Sequence, residues 1–551
     1  MRSPSGFEKM RSVNLYVLFL IVLAVIWVLG QAVWWHKYAY PYSPQLEMDA
    51  ARYGKSLASG AIADVFDQLK QSTYQPPLYE FSIGVVNAIR GFSLGNTIIL
   101  NTLLAMLAAW SIFRQVKVNF GAFAGSIAGL LFLGHGMVFA SSRVAQREFG
   151  LLCLTSFSLY FLSDRQLLQK SRTALSFGII FAAGMLTKWT FIIYNFFPAA
   201  ITGLARLVEA VVKKQSPRRA IMLAGLSLVL IFLICAPWYL GVLDLDYLWS
   251  SKENDPSPGG IAWLLRFYPI ALGDGTIFGE TSTYVLIALA VLAVAKFRRA
   301  ALVPAISFFS TLALLLLIKH KETRYFISAM PALAILAGMT FSLVPRRKWL
   351  RMSLYFLVAA VAVWNYIELS FMAPNIPQAS GTLRPLRNAS CLNEGASATR
   401  RILHFAADRG SAHHRREGLA LHPLNQNIME FNFDLLSLSL MTERLEDRVT
   451  ILGYDLIFYP RFISEFDRID VLVVSDIVWT EPDSEIQKLM EGWRHFQSID
   501  REEKGEAPTE PRQREAVQQA FRLEYDISSP CFPTLHVYVR NEDGTGDGAQ
   551  P

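Results

Sequence analysis

Long apolar runs, separated by short polar segments, occupy the chain from about residue 13 to residue 372, and mixed polar sequence follows. A helix that crosses a bilayer needs roughly 20 predominantly apolar residues. We predict about eleven such helices, near residues 13–33, 95–115, 121–140, 149–164, 174–187, 189–205, 220–241, 280–296, 300–318, 325–344 and 352–372. The predicted fold class is a polytopic all-α membrane bundle followed by a C-terminal α/β domain.

The composition of the 551 residues supports a membrane protein, with 52% hydrophobic and only 18% charged side chains. The first apolar run continues to about Val33 without a small-residue cleavage site, so we interpret it as a retained span. The net charge of +7 suits basic loops that face anionic lipid. Because the sequence has no nucleic-acid motif or basic aromatic platform, we predict no nucleic-acid partner.

Lysine and arginine are concentrated in alternate predicted loops. These loops hold Arg114 and Lys117; Arg165, Lys170 and Arg172; Arg206, Lys213, Lys214, Arg218 and Arg219; Lys296, Arg298 and Arg299; and Arg346, Arg347, Lys348 and Arg351. The positive-inside rule places them in the cytoplasm with the basic N-terminus. We therefore predict a multi-pass protein of the inner (plasma) membrane whose outer side carries a first loop (34–94), a second long loop (242–279) and the C-terminal region.

The C-terminal region differs in composition from the membrane part. We predict a transmembrane domain at 1–373, an extracytoplasmic α/β domain at 374–540 and a disordered tail at 541–551. Strand-like runs lie at 449–460, 469–476 and 534–539, with helical patterns near 427–445, 483–493 and 512–521.

Two of the four cysteines, Cys391 and Cys531, lie in the predicted outer domain. An oxidising compartment would let them pair, which would stabilise the domain by roughly 3–5 kcal/mol. Two free thiols are the alternative.

The first outer loop carries an acid close to the membrane surface. In residues 41–60, one stripe of a short predicted helix holds Asp49 and Tyr53, with Arg52 beside them. An ionisable group held at the lipid boundary is a candidate functional residue. The alternative is a helix-capping or solvated acid.

The same loop contains the paired prolines Pro76 and Pro77, followed by Tyr79. Prolines forbid a continuing helix, so we predict a stiff extended strap at residues 72–81 next to the site. A simple loop-to-helix junction is the alternative.

Charged residues at the outer ends of later spans do not fit the positive-inside pattern. They are Arg143, Arg147 and Glu148 between spans three and four, Lys188 in a tight turn, and Lys319, His320, Lys321 and Arg324 beside Tyr325. A cationic set on this side suits an anion, above all a phosphate. The plainer interpretations are a helix-end salt bridge among the charges of residues 141–150, snorkelling of Lys188, and lipid-headgroup contacts for Arg143 and the cluster at 319–324.

Two acids, Asp49 and Glu148, therefore share the outer face with several cations from distant parts of the chain. This combination suits transfer of a group from a lipid-linked phosphate. An acid would act as general base on an acceptor hydroxyl or amine, and the cations would stabilise the departing phosphate. A phosphate leaving group needs little protonation, so one base and a cationic clamp suffice.

The order and spacing of these motifs resemble a known family. The motifs are Asp49, Arg52 and Tyr53 in the first loop, QPPLY at 75–79, Arg-Glu at 147–148, LTK at 186–188, PWY at 237–239 and RYF at 324–326. The set resembles the glycosyltransferase C superfold over roughly residues 13–345. It is most similar to bacterial relatives of the dolichyl-phosphate-mannose protein mannosyltransferases (family 39) and of the lipid A aminoarabinose transferase.

The resemblance implies an inverting transfer of a hexosyl or pentosyl group from a polyprenyl-phosphate carrier to an acceptor protein, lipid or glycan of the cell envelope. Asp49 and Glu148 match the catalytic acids, although many relatives carry aspartate at the second position. The donor phosphate would lie against Arg147, Lys188, Arg324 and Tyr325, with first-loop support from Arg52, Tyr53, Pro76, Pro77 and Tyr79. Some members bind a divalent cation through such acids and the nearer relatives do not require one, so a divalent cation stays an open alternative and no cofactor is assigned.

Two other classes of function stay open. A membrane transporter or lipid flippase also has many spans, but its polar groups concentrate near the bilayer midplane in repeated halves. The charges here cluster at span ends, and the sequence shows no internal repeat. A non-catalytic envelope assembly factor would tolerate the loss of both Asp49 and Glu148.

Overall fold

The structure is a computed structural model that describes residues 21–32, 44–71, 75–93, 95–143, 145–212, 217–241, 279–317, 323–368, 389–412, 417–421, 449–452, 471–475, 521–527 and 535–540. The chain folds as two compact units, Met1–Arg387 and Asn388–Pro551. The predicted tail at 541–551 and residues 242–278 of the second long outer loop lie outside the described residues.

The described part of the first unit is helical. Its helices are α1 (Ile21–Ala32), α2 (Pro44–Ala58), α3 (Ile62–Gln71), α4 (Leu78–Arg90), α5 (Gly95–Phe120), α6 (Ala122–Leu133), α7 (Gly136–Ser141), α8 (Arg147–Ser163), α9 (Ser171–Thr187), α10 (Phe191–Val212), α11 (Pro217–Gly241), α12 (Gly279–Leu317), α13 (Met330–Thr340) and α14 (Lys348–Ile367). The 3₁₀ helix Thr323–Ala329 leads into α13, and a second one, Phe341–Leu343, follows it.

Five stretches of the described chain are long and apolar enough to cross a membrane. They are Gly95–Phe120, Phe191–Val212, Pro217–Gly241, Tyr325–Leu343 and Lys348–Ile367. Three further apolar helices, α1, α6 and α9, are shorter. The chain is thus a multi-pass membrane protein, as predicted, and the count of eleven crossings stays a prediction.

One predicted span differs from the structure. The span predicted at 121–140 is interrupted between α6 and α7 at Gly134 and His135. Gly134 packs so closely on α14 that an added Cβ would lie 2.5 Å from the Cβ of Ala362. The two spans predicted at 280–296 and 300–318 correspond to the two halves of α12, which are separated by a kink at Phe297, where the backbone is not helical (φ −115°, ψ 20°).

The centre of the first unit is α13, all of whose residues are buried. Gly338 leaves no room for a side chain against Ala128 of α6, so these two helices pack with their backbones close together. The outward faces of α10 and α11 are apolar and exposed, as expected of helices that contact lipid; examples are Leu204, Val212, Leu228 and Leu233.

Helices α2 and α4 of the first loop also pack closely. An added Cβ on Gly84 would lie 2.5 Å from the Cβ of Tyr53, and one on Gly54 would lie 2.7 Å from the Cβ of Asn87. The helix predicted within residues 41–60 is confirmed as α2. The extended strap predicted at 72–81 is wrong beyond Pro77, because Leu78 begins α4 and a proline is well tolerated at a helix start.

The second unit contains helix α15 (Ala389–Ala412) and strands β1 (Glu417–Leu421), β2 (Val449–Leu452), β3 (Val471–Ser475), β4 (Phe521–Ile527) and β5 (Leu535–Arg540). The sheet order is β2-β1-β3-β5-β4, with β1 parallel to β2 and β3 and with β5 antiparallel to β3 and β4. One stripe of α15 is buried, at Ile402, Leu403, Ala406 and Ala407. Strands β2, β3 and β5 fall in the predicted strand-like runs, whereas β1 and β4 were not predicted.

Candidate active site

Two adjacent residues at the start of α8 pair with opposite charges on other helices. The guanidinium of Arg147 pairs with the carboxylate of Glu80 on α4. Lys188, at the end of α9, donates from Nζ to Oε1 of Glu148 over 2.5 Å. The side chains of Glu80, Glu148 and Lys188 are 2%, 3% and 9% exposed, and that of Arg147 is 20% exposed, so Glu148–Lys188 is a buried pair and Glu80–Arg147 is a partly buried one. Salt bridges at a helix end, the plainer interpretation of this segment, are thus present, and both partners lie on other parts of the chain.

The helix termini explain why these charges are tolerated. Glu80 lies in the first turn of α4 and Glu148 in the first turn of α8, where the positive end of the helix dipole favours an acid. Lys188 directly follows the last turn of α9, where the negative end favours a cation. Glu80, Glu148 and Lys188 are therefore stabilised both by their partners and by their own helices, whereas Arg147, at the N-terminus of α8, depends on its partner Glu80.

The three helices that carry these pairs meet at Gly150 of α8. A Cβ added at this glycine would lie 3.0 Å from Cγ2 of Thr187 on α9 and 3.2 Å from Cδ2 of Tyr79 on α4. Tyr79 precedes Glu80 and Thr187 precedes Lys188, so the close approach at Gly150 brings the two ion pairs side by side. We call Glu80, Arg147, Glu148 and Lys188 the ion-pair cluster.

Tyr325 completes one side of the cluster. Nζ of Lys188 lies 5.0 Å from the centre of the Tyr325 ring, a cation–π distance. The hydroxyl of Tyr194 donates to the backbone oxygen of Tyr325 over 2.8 Å. Tyr239 of the PWY motif donates to the backbone oxygen of Met185, in the last turns of α9. The carboxylate of Glu148 and the ring of Tyr325 thus hold the Lys188 ammonium group inside the protein, so this side chain does not snorkel to the membrane interface.

Asp49 lies on α2 with Arg52 one turn away, and the Arg52 Nη1 to Asp49 Oδ1 distance is 3.7 Å. The Asp49 side chain is 34% exposed, so its carboxylate is accessible, unlike those of the cluster. Tyr53, on the same helix, is buried edge-on against Phe81.

Tyr53 links Asp49 to the ion-pair cluster electrostatically. Burial raises the pKa of Tyr53, the negative charges of Glu80 and Asp49 raise it further, and Arg147 opposes them. Geometry agrees, because the Tyr53 ring packs against Phe81, the neighbour of Glu80 on α4.

Glu80 is a site residue that the sequence analysis did not single out. Burial raises the pKa of its carboxyl group, and the guanidinium of Arg147 opposes that rise. The available signal was an acid within an apolar segment directly after two prolines, since a carboxylate in such surroundings needs a partner.

A network of neutral hydrogen bonds supports the cluster. The hydroxyl of Tyr79 donates to Oδ1 of Asn101 over 2.9 Å and accepts from the backbone N–H of Gln146. Asn101 in turn donates to the backbone oxygen of Ser142. The loop before α8 is thereby tied to α4 and α5, which fixes the position of Arg147.

Arg143 belongs to the same supporting network. One interpretation of the sequence placed Arg143 against lipid headgroups, and the structure instead buries it. Its side chain is buried, its Nε donates to Oε1 of Gln31 over 3.0 Å, and its guanidinium lies 4.2 Å from the Phe139 ring. Gln31 and Asn101 are amides inside predicted spans, which was the signal for this network.

The remaining predicted residues have different outcomes. Pro76 and Pro77 are buried immediately before α4. The backbone of Arg324 lies in the 3₁₀ helix Thr323–Ala329. The side chain of Arg324, residues 318–322 and the proposed partners Cys391 and Cys531 fall outside what is described of the side chains. Among the described residues, no group of three or more His, Cys, Asp or Glu side chains is arranged to hold a metal ion.

Comparison with known proteins places this geometry in a family context. Residues 74–240, from just before α4 to the end of α11, match the model of the dolichyl-phosphate-mannose-protein mannosyltransferase family. The predicted resemblance to this family is confirmed. The matched segment contains the whole ion-pair cluster. No curated protein matches the chain.

Solved structures of ArnT from Cupriavidus metallidurans show the same fold. The enzyme bound to undecaprenyl phosphate aligns with a TM-score of 0.60 at 14% identity, covering 97% of this chain and 99% of that chain. Its apo state aligns with a TM-score of 0.61 at 14% identity, covering 96% and 98%. The apo oligosaccharyltransferase of Archaeoglobus fulgidus aligns more weakly, with a TM-score of 0.47 at 12% identity, covering 86% and 71%.

Proposed function

We propose that this protein is an integral membrane glycosyltransferase that moves a sugar from a polyprenyl-phosphate carrier to an acceptor on the extracytoplasmic face. The observation that carries the proposal is the ion-pair cluster beside the accessible carboxylate of Asp49. The family match over residues 74–240 supports it, as does the shared fold with ArnT, whose crystal structure contains undecaprenyl phosphate.

The donor phosphate would bind to Arg147 and Lys188 beside Tyr325. Arg324 of the RYF motif is proposed as a further phosphate ligand. Nε of Arg147 is buried and has no hydrogen-bond acceptor among the described residues, so this donor is available to a phosphate oxygen. Lys188 has three ammonium donors, which allows it to bind Glu148 and a phosphate together.

Glu80 and Glu148 would hold these two cations in position. Burying an unpaired cation costs several kcal/mol, so each needs its carboxylate when no carrier is bound. We therefore assign Glu148, predicted as a second catalytic acid, to orient Lys188 for the phosphate.

Asp49 would act as general base. It takes the proton from the acceptor hydroxyl or amine, the acceptor atom forms a bond to C1 of the sugar, and the bond from C1 to the phosphate oxygen breaks. The electron pair of that bond leaves with the polyprenyl phosphate, whose charge Arg147 and Lys188 stabilise. Attack from the face opposite the phosphate inverts the anomeric carbon.

The test is transfer by purified protein supplied with a polyprenyl-phosphate sugar and membrane extract as acceptor source. We expect Asp49→Asn to lower the rate by about 100-fold or more, the usual contribution of a general base, while carrier binding is retained. Asp64→Asn is the matched control, because Asp64 is an exposed acid on α3 of the same loop.

Equal transfer by wild type and Asp49→Asn would rule out the assigned base. Transfer lost equally in Asp49→Asn and Asp64→Asn would point to a damaged loop and not to lost catalysis. Vectorial lipid movement without transfer from any carrier would support a flippase.

A further inference from the structure

A groove of about 250 Å³ lies between α6, α12 and α14, on helices that do not carry the ion-pair cluster. Its apolar length is lined by residues that include Leu131, Val285 and Val358, and its other end is lined by His135, Ser282 and Asn365. The groove surface is almost wholly apolar, and the end at His135 and Asn365, which we call the polar end, differs in having polar groups buried in its wall.

Hydrogen bonds between the helices place the three polar residues at one level. Nε2 of His135 lies 3.2 Å from Oγ1 of Thr283, the neighbour of Ser282 on α12. Nδ2 of Asn365 donates to the backbone oxygen of Gly134 over 2.8 Å. From Asn365 the groove follows α14 for eight residues to Leu357, a rise of about 12 Å.

Two buried polar atoms at this end of the groove lack a hydrogen-bond partner among the described residues. Nδ1 of His135 and Oδ1 of Asn365 are buried and have no hydrogen-bond partner among the described residues, and the two residues are only 3% and 1% exposed. Buried polar groups without a partner cost roughly 1–3 kcal/mol each. Within a hydrocarbon layer water does not supply the missing partner. The Asn365 oxygen accepts hydrogen bonds, so it selects a ligand that donates one.

The polar end of the groove is also the end nearest the ion-pair cluster. Tyr366, next to Asn365, stacks on Phe139 of α7 with ring centres 4.3 Å apart, and Phe139 lies beneath the guanidinium of Arg143. Four residues separate Arg143 from Arg147. A lipid in the groove would therefore point its polar part toward the membrane face that carries the cluster.

We propose that the groove binds one aliphatic chain of a membrane lipid that carries a hydroxyl or amide donor beside the chain, with this donor at His135 and Asn365. The apolar length takes the hydrocarbon, and the polar end takes the donor after a small side-chain rotation. The site is separate from the proposed donor-phosphate site and does not depend on the proposed function.

The test uses two photoreactive probes of equal chain length in nanodiscs that hold the full-length protein. One probe is an N-acyl lipid with a free hydroxyl group, and the other is a diacyl ester phospholipid. We expect saturable labelling of peptides containing Leu131, Val285 or Val358, with the N-acyl probe favoured by about fivefold, the value of one ordinary hydrogen bond.

Val285→Trp should block this labelling by filling the groove. Val229→Trp on α11 is the matched control, because Val229 is 53% exposed and Val285 is 51% exposed, yet only Val285 lines the groove. Labelling that does not saturate, spreads over all lipid-facing helices and is equal for the two probes would show only surrounding bilayer lipid, which overturns the proposal. The comparison of probes on wild-type protein stands even if a variant fails to fold.

Discussion

Glu47 is a buried carboxyl group two residues from Asp49. Thr97 of α5 donates to its Oε1 over 2.5 Å, and the side chain is 2% exposed. Burial raises the pKa of Glu47 to about 8, partly offset by this hydrogen bond. At neutral pH the group is therefore mostly protonated, and it anchors the helix of Asp49 on α5 without adding a charge.

This pKa gives a signed prediction for stability. Between the ordinary carboxyl pKa of 4.5 and about 8, the folded protein holds a proton that the unfolded chain has lost. Stability therefore falls as pH rises across that window, by about 2–4 kcal/mol from this group. Glu47→Gln should show a smaller fall in its thermal-unfolding midpoint from pH 5 to pH 9. Parallel curves for wild type and Glu47→Gln would contradict the assignment.

Variants of the Glu148–Lys188 pair can distinguish a role in stability from a role in sugar transfer. Glu148→Gln or Lys188→Met alone leaves a buried unpaired charge, and each should cost about 3–5 kcal/mol of stability. The double variant should recover most of that stability but no transfer, because Lys188 is assigned to the phosphate. Asp67→Asn is the control, since its pair with Lys70 is exposed and contributes about 0–1 kcal/mol. Recovery of transfer in the double variant would contradict the assignment of Lys188 to the donor phosphate.

At the level of single residues, the sequence pointed to charged residues that break the positive-inside pattern or border an apolar run. It did not point to Glu80. Asp49, Arg147, Glu148 and Lys188 were candidates from the sequence because they lie at the ends of apolar runs, and their roles stay a prediction. The pairing of Arg147 with Glu80 could not be predicted, since it depends on the packing of α4 against α8, which hydropathy does not specify.

Among the secondary-structure elements, the contact between α2 and α4 matters most for the site, because it positions Asp49 of α2 relative to Glu80 of α4. Gly84 permits the contact, because an added Cβ would meet the Cβ of Tyr53 at 2.5 Å. Overpacking of this kind typically costs about 1–3 kcal/mol. We predict that Gly84→Ala lowers the thermal-unfolding midpoint and reduces transfer.

The matched control for Gly84→Ala is Gly225→Ala on α11, where an added Cβ meets nothing within 4 Å. Alanine is the better helix former by roughly 0.5–1 kcal/mol, so Gly225→Ala should be neutral or slightly stabilising. Equal effects of the two substitutions would show that the α2–α4 contact is not tight.

The sequence predicted the positions of most apolar helices but not their breaks. Periodicity and length identify a span such as α5 because the bilayer imposes both. The break at Gly134 depends on its close packing against α14, which hydropathy does not specify. Strands β1 and β4 were missed for a related reason, since short strands gain their stability from pairing with neighbours.

The orientation of the whole molecule rests on the positive-inside rule and is open to a direct test. Ser59, beyond α2, and Ser171, at the start of α9, are both exposed and should face opposite sides of the membrane. In a variant whose four cysteines are replaced by serine, Ser59→Cys should react with an impermeant maleimide on intact cells. Ser171→Cys should react only after permeabilisation. The reverse pattern would invert the proposed topology.

The central claim is that the ion-pair cluster and Asp49 transfer a sugar from a polyprenyl-phosphate carrier. The most direct measurement is mass spectrometry of the carrier and the acceptor pool after incubation with purified protein in proteoliposomes. We predict that each glycosylated acceptor is matched by one released polyprenyl phosphate, and that both form about 100-fold more slowly with Asp49→Asn. If the wild-type protein releases no polyprenyl phosphate from any sugar-loaded carrier, whichever acceptor is supplied, the claim is contradicted.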